Sequence, residues 1–121
     1  MVNHMSGKPI YMQIADELRD FIAAGRLAPG DRVPSTNELS HYHSVNPTTS
    51  AKALTSLFDE GLLEKRRGLG MFVLPTAREQ VLSTRRAAFT ADFLRPLLRE
   101  ADKLGISPAE LSAMIDKERN R

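Results

Sequence analysis

The chain has 121 residues, 41% of them hydrophobic and 26% charged, with a formal net charge of +2. That is room for one ordinary domain or a small domain with an appendage, and it excludes wholesale disorder. The absence of cysteine excludes disulfides, thiolate metal sites and cysteine nucleophiles together, which suits the cytoplasm, and no apolar run approaches membrane-spanning or signal-peptide character.

Residues 1–8 carry no pattern and read as a disordered or tag-like N-terminus, His4-Met5 being a candidate cloning scar. From Pro9 the spacing becomes helical. Ile10, Tyr11, Ile14, Leu18, Phe21 and Ile22 share one arc of a 3.6-residue period, opposite Gln13, Asp16, Glu17, Arg19 and Asp20, and Gly25 suits a left-handed cap. Leu27 to Asp31 reads as a tight turn centred on Pro29-Gly30, leading to a short strand near Arg32-Val33 that can pair with a later hairpin.

Ser35 stands three residues before Glu38, the spacing of a capping box, so a short helix is expected over about Thr36–Tyr42. A second helix opens almost at once, with Asn46 as cap and Pro47 in the first turn, and runs to about Glu60. Two helices joined by so few residues must cross steeply, with Val45 plugging the corner. On the second helix Ala51, Leu54, Leu57 and Phe58 form the expected packing face, and Thr48, Thr49, Lys52, Thr55, Ser56 and Asp59 the free one. After Gly61, Leu62-Leu63 and Met71-Phe72-Val73 flank the tip Lys65-Arg66-Arg67-Gly68-Leu69-Gly70 and predict a hairpin. The expected fold is therefore mainly α with a small β-hairpin, a winged helix-turn-helix over residues 9–75 followed by a helical extension over 76–121.

In that extension Leu82, Phe89, Phe93, Leu97 and Leu104 form one stripe, widened by Leu94, Leu98 and Ala101. Pro96 should kink or interrupt this helix, and Gly105 ends it. Ser107-Pro108-Ala109-Glu110 then caps a last helix with Leu111, Met114 and Ile115 on one face, fraying from Lys117. A tail of this size buries little alone, so its stripes call for a partner, and a second copy of the chain is the economical choice. The dimerisation residues expected are Leu82, Phe89, Phe93, Leu97, Leu104, Leu111, Met114 and Ile115.

Charge supports nucleic-acid binding only locally, because residues 9–75 carry seven Lys/Arg against eight Asp/Glu. What counts is that Lys52 and the run Lys65-Arg66-Arg67 fall on the proposed reading surface. A bland alternative for the helix from Pro47 is a solvated surface face, and for Gly68 and Gly70 simple turn geometry. His41 and His43 flank Tyr42 without a third ligand at convincing spacing, so they read as corner residues and no metal or cofactor is expected. Nor is there a phosphate loop, a serine elbow or a His-Glu-x-x-His, and catalysis is not expected. Arg85, Arg86 and Arg95 near the tail stripe leave an anion-binding effector pocket as a secondary candidate.

Taken in order, Pro9-Ile10-Tyr11-Met12-Gln13-Ile14-Ala15, Gly25-Arg26-Leu27-Ala28-Pro29-Gly30-Asp31-Arg32-Val33-Pro34-Ser35, Val45-Asn46-Pro47-Thr48-Thr49, Glu60-Gly61-Leu62-Leu63 and Arg67-Gly68-Leu69-Gly70-Met71-Phe72-Val73 resemble the GntR family of bacterial transcription regulators. The short two-helix tail and the Val-Asn-Pro-Thr-Thr form are similar to its YtrA subfamily. The resemblance implies a homodimeric, repressor-like regulator that binds an inverted-repeat operator in double-stranded DNA and is tuned by a small-molecule effector. It places DNA contacts at Ser35, Asn37, Asn46, Thr48, Thr49, Arg67, Gly68 and Gly70, to which the charge pattern adds Lys52, Lys65 and Arg66. Many relatives carry Arg at the positions of Asn37 and Pro47, and often at Ala51, which shifts the expected readout toward Thr48, Thr49 and Lys52. The competing expectation is a winged-helix protein-interaction module without specific DNA binding.

Overall fold

The structure, a computed structural model, describes residues 2–5 and 7–121. The expectation for the N-terminus falls partly on Met1 and Ser6, which lie outside the described residues. Of its described part, Val2 packs against the core and the Gln13 side-chain amide donates to the Lys8 carbonyl at 2.9 Å. Lys8 also pairs with Asp16. Val2 and Lys8 are thus placed against the core and the first helix.

Helix α1 spans Ile10–Ala23, α2 Thr36–His43 and α3 Pro47–Asp59. Each boundary follows from local chemistry. Gly25 takes φ +81° after α1, where a side chain would be strained. At α2 the Ser35 hydroxyl accepts from the Glu38 amide at 3.1 Å while Glu38 Oε1 accepts from the Ser35 amide at 2.9 Å. At α3 Asn46 Oδ1 accepts from the Thr48 amide at 2.8 Å, and Pro47 sits in the first turn with no amide to satisfy. Ser44, the one non-glycine residue with positive φ among those described, turns the corner in the left-handed region.

Helix α3 packs on both α1 and α2. Ile14, Ala15, Leu18 and Ile22 of α1 meet Leu39 of α2 and Ala53, Leu54 and Leu57 of α3 in one buried cluster. The packing face of α3 is rotated from the one its hydrophobicity suggested. Ser50 and Ala53 are fully buried, Ala51 is half-buried and Phe58 is exposed. The polar Ser50 tolerates burial because Ser40 Oγ of α2 lies 2.8 Å from its hydroxyl, so each satisfies the other across the corner. Val45 is half-buried against the same core, as the corner requires.

Strands β1, Leu63–Arg66, and β2, Gly70–Val73, pair antiparallel with Leu63 opposite Val73 and Arg66 opposite Gly70. The strand expected near Arg32-Val33 is a single bridge from Arg32 to Phe72, reinforced by the Val33 amide donating to the Met71 carbonyl at 2.9 Å. Helix α4, Ala77–Phe89, begins on this core, since Ala77 and Val81 belong to the buried cluster. The Arg78 guanidinium donates to the Ala23 carbonyl at 3.0 Å and the Gln80 amide to the Glu60 carbonyl at 3.3 Å. The chain accordingly divides into two compact units after Ser83, beyond the proline at which composition changes.

In the second unit, the end of α4 passes into a π-helical turn, Thr90–Leu94, before α5, Arg95–Lys103, and α6, Pro108–Arg119. Pro96 accounts for this turn. It lacks an amide, and the widened turn lets the Arg95 amide reach back to the Thr90 carbonyl instead of breaking the helix. Ser107 and Glu110 form the expected capping box. The expected fraying from Lys117 is not seen, because α6 continues to Arg119 and the Asn120 amide still reaches the Asp116 carbonyl.

Candidate nucleic-acid interface

The sequence-derived candidates fall into two groups in space. The first is the N-terminal end of α3, where Asn46, Pro47, Thr48 and Lys52 are exposed and Thr49 is half-buried. Its backbone amides are already occupied: Thr48 by the Asn46 side chain, Thr49 and Ser50 by the Asn46 carbonyl. Chemistry at this end therefore passes to the side chains, the Thr48 and Thr49 hydroxyls and the Lys52 ammonium, rather than to free amides. Lys52 is the only cation on α3 and lies one turn beyond Thr48, on the same face. Its ammonium sits 4.2 Å from the centroid of the Tyr11 ring on α1.

The second group lines a groove of about 370 Å³ between the hairpin tip and the start of α2. Ser35, Lys65, Arg66, Arg67, Gly68 and Gly70 all face it. They are not equivalent. Arg66 lies 4.2 Å over the Phe72 ring and its Nη2 is 3.4 Å from Glu64 Oε2, so that guanidinium is held by its own hairpin. Among the described residues neither Lys65 nor Arg67 has a charged or hydrogen-bonding partner. Gly68 takes φ +76° at the tip and Gly70 φ +113°. A Cβ at Gly70 would stand 3.4 Å from the Arg32 side chain, so this glycine combines a left-handed backbone with close approach.

Ser35 spends its hydroxyl in the capping box, and Asn37 is exposed in the first turn of α2. The Ser35 backbone and hydroxyl hydrogen bonds, followed by Arg32, hold the Glu38 carboxyl below its ordinary value. Arg32 was not a candidate from sequence, yet it lines the groove and places Nη2 3.1 Å from Glu38 Oε1. It ties the hairpin side of the groove to the helix side. Its sequence signals were its place beside Val33 in a strand-like pair and within the Gly25–Ser35 stretch that carries the family resemblance, neither of which points to the groove. His43, read as a corner residue together with exposed His41, is buried with Nε2 2.9 Å from Glu17 Oε2, and so joins α2 to α1.

The C-terminal candidates sit differently. Phe89, Phe93, Leu97, Leu104, Met114 and Ile115 are exposed on the single chain, while Leu82 and Leu111 are half-buried. Leu97, Leu111, Met114 and Ile115 line an open apolar groove of about 470 Å³ with Glu118 and Arg119. Arg85, Arg86 and Arg95 do not line it.

A capped α2, a steep corner, an exposed α3 and a hairpin with a cationic tip define a winged helix-turn-helix DNA-binding domain. The family described as bacterial regulatory proteins, gntR family, matches residues 10–73, and the chain belongs to it. The HTH-type transcriptional repressor YtrA of Bacillus subtilis is 29% identical over 94% of this chain and 87% of its own length. A solved GntR family transcriptional regulator from Listeria monocytogenes is 30% identical, with a TM-score of 0.77 over 93% of this chain and 96% of its own. The DNA-binding domain of AraR, solved in complex with operator ORX1, is 32% identical with a TM-score of 0.55 over 60% of this chain and 90% of its own. These relatives are transcriptional regulators by description, one of them solved on its operator, and among the described residues no helix is long and apolar enough to cross a membrane.

Proposed function

We propose that this chain is a homodimeric transcriptional repressor that binds an inverted-repeat operator. In this reading residues 9–75 contact DNA, and residues 76–121 hold two copies together and are open to a small effector. Asn37, Asn46, Thr48, Thr49 and Lys52 face one groove of the duplex. Ser35, Lys65, Arg67, Gly68 and Gly70 form the surface that follows the phosphates, with Arg66 adding charge from its place over Phe72. The observation that carries the reading is the contrast in polar groups around α3: its amides are taken, while Thr48 and Lys52 are exposed on one face.

The dimer rests on the second unit. Among its described residues only Ala101 is buried, and six large apolar candidates stand exposed in one copy. A unit of that kind gains stability by pairing, and two-fold symmetry in the protein matches two half-sites about 34 Å apart in DNA. That a relative is named a repressor and another is solved on its operator supports the same reading.

The test is selection of duplexes from a random pool by the full chain, followed by binding at several salt concentrations. Selected sites with two-fold symmetry are expected, and Arg67→Ala and Lys52→Ala should each lower affinity and the salt slope. Recovery of no preferred duplex, alongside a stable protein partner, would instead favour a protein-interaction module, the reading suggested by the near-neutral charge of residues 9–75.

A further inference from the structure

We infer that Tyr11 of α1 sets the sequence discrimination of the recognition helix by holding the Lys52 ammonium in one place. The inference rests on the DNA-binding reading of α3 given above. Lys52 is the only cation on α3, so charged readout from this helix depends on one flexible side chain. A free lysine is a mobile point charge that finds phosphates as readily as base edges. Here it is not free to wander. Its Nζ is 4.2 Å from the Tyr11 ring centroid, within the range of a cation–π contact.

The ring is a fixed platform, because Tyr11 is half-buried against the core formed by α1 and α3. The lysine above it remains exposed, so its N–H donors stay available to solvent or to a ligand. Lys52 also lies one turn from Thr48, so the two side chains leave α3 on the same exposed face. A donor fixed at one point can favour the acceptor-rich edge of guanine over the other bases, which a donor swinging through many rotamers does poorly. The aromatic side chain thereby converts a phosphate-seeking charge into a base-reading one. Tyr11 is a positioning residue in this scheme and need not touch DNA.

The experiment measures binding of the full chain to its selected duplex and to a scrambled duplex of equal length, across salt. Tyr11→Phe keeps the ring and should bind as the native chain does. Tyr11→Leu should lose roughly two- to fivefold affinity for the selected duplex, the size of an exposed cation–π contact, with affinity for the scrambled duplex and the salt slope unchanged because the charge is still present. Lys52→Ala should lose affinity chiefly for the selected duplex, together with part of the salt slope. Tyr11→Leu added to Lys52→Ala should then change nothing more. Independently of DNA, the ε-methylene protons of Lys52 should show an upfield ring-current shift in the native chain and in Tyr11→Phe that disappears in Tyr11→Leu.

Tyr11→Phe as weak as Tyr11→Leu would overturn the inference in favour of a contact from the hydroxyl. Equal losses from Tyr11→Leu with and without Lys52 would overturn it in favour of a purely structural role. Native affinity in Lys52→Ala would remove the part of the functional reading on which it depends. A chain that selects no duplex would overturn that reading as a whole, and the specificity role with it, even with the ring-current shift intact.

Discussion

The two units of this chain solve the problem of apolar surface in opposite ways. In the N-terminal unit α1, α2, α3 and the hairpin enclose one cluster in which Ile14, Leu18, Leu57 and Leu62 are almost wholly buried. The C-terminal unit contains comparably large side chains, yet Phe93 and Leu104 are 66% and 67% exposed. A unit that buries its own core can fold alone and leave its polar face for a ligand. One that displays its apolar face depends on what covers it, so its stability is tied to association and to concentration.

Mutation of the two cores should separate these modes. Leu57→Ala, which empties a fully buried position, is expected to cost about 2–5 kcal/mol in urea unfolding of the full chain, irrespective of protein concentration. A near-zero cost would show that the N-terminal unit is not self-sufficient. Phe93→Asp together with Leu104→Asp should shift sedimentation from dimer to monomer and lower affinity for a two-half-site duplex by at least an order of magnitude, while a single half-site binds as before. A tight dimer in that variant would move the interface elsewhere.

Smaller changes sharpen the division within the first unit. Ser35→Ala removes the cap accepted by the Glu38 amide and should cost about 1 kcal/mol of stability by thermal unfolding. Arg67→Ala should leave stability unchanged and reduce the salt slope of duplex binding by about one. Glu38 supplies a pH dependence of known sign. Its carboxyl is held below the ordinary value of 4.5 in the folded chain, first by Ser35 and then by Arg32. The unfolded chain therefore binds that proton more readily. The contribution is present above the ordinary value and is lost as pH falls through the lowered one. Glu38→Gln should be less stable than the native chain at neutral pH, and the gap should close on acidification. A gap that widens at low pH would reverse the assignment. The effect is the smallest of the set, since the carboxyl is exposed and screened.

What was legible beforehand is what short-range chemistry controls. Ser35 with Glu38 and Ser107 with Glu110 are capping boxes whose partners lie three residues apart, and both form. Asn46-Pro47 starts α3, and Gly25 and Gly105 take the left-handed conformations that end helices. Interactions across the fold left weaker traces. Ser50 belongs to neither expected face of α3 and is buried because Ser40 of another helix satisfies it, and His43, expected as a corner residue, is tied to α1 by Glu17. The contacts of Arg32 with Glu38 and of Lys52 with Tyr11 join different elements, and no local spacing connects them.

The sequence by itself determined where the helices begin and end, that a basic hairpin follows the second of a close pair, and that the tail carries an apolar stripe in need of a partner. Caps, turns and periodicity act within a few residues, so they can be read along the chain. Only the tertiary structure decided which face of α3 is buried, how the chain passes Pro96 through a π turn, and that Arg66 is held by Phe72 while Arg67 has no charged partner among the described residues. These depend on which surfaces meet in three dimensions, and the packing of α1 and α2 against α3 overrides the hydrophobic pattern of α3 taken alone.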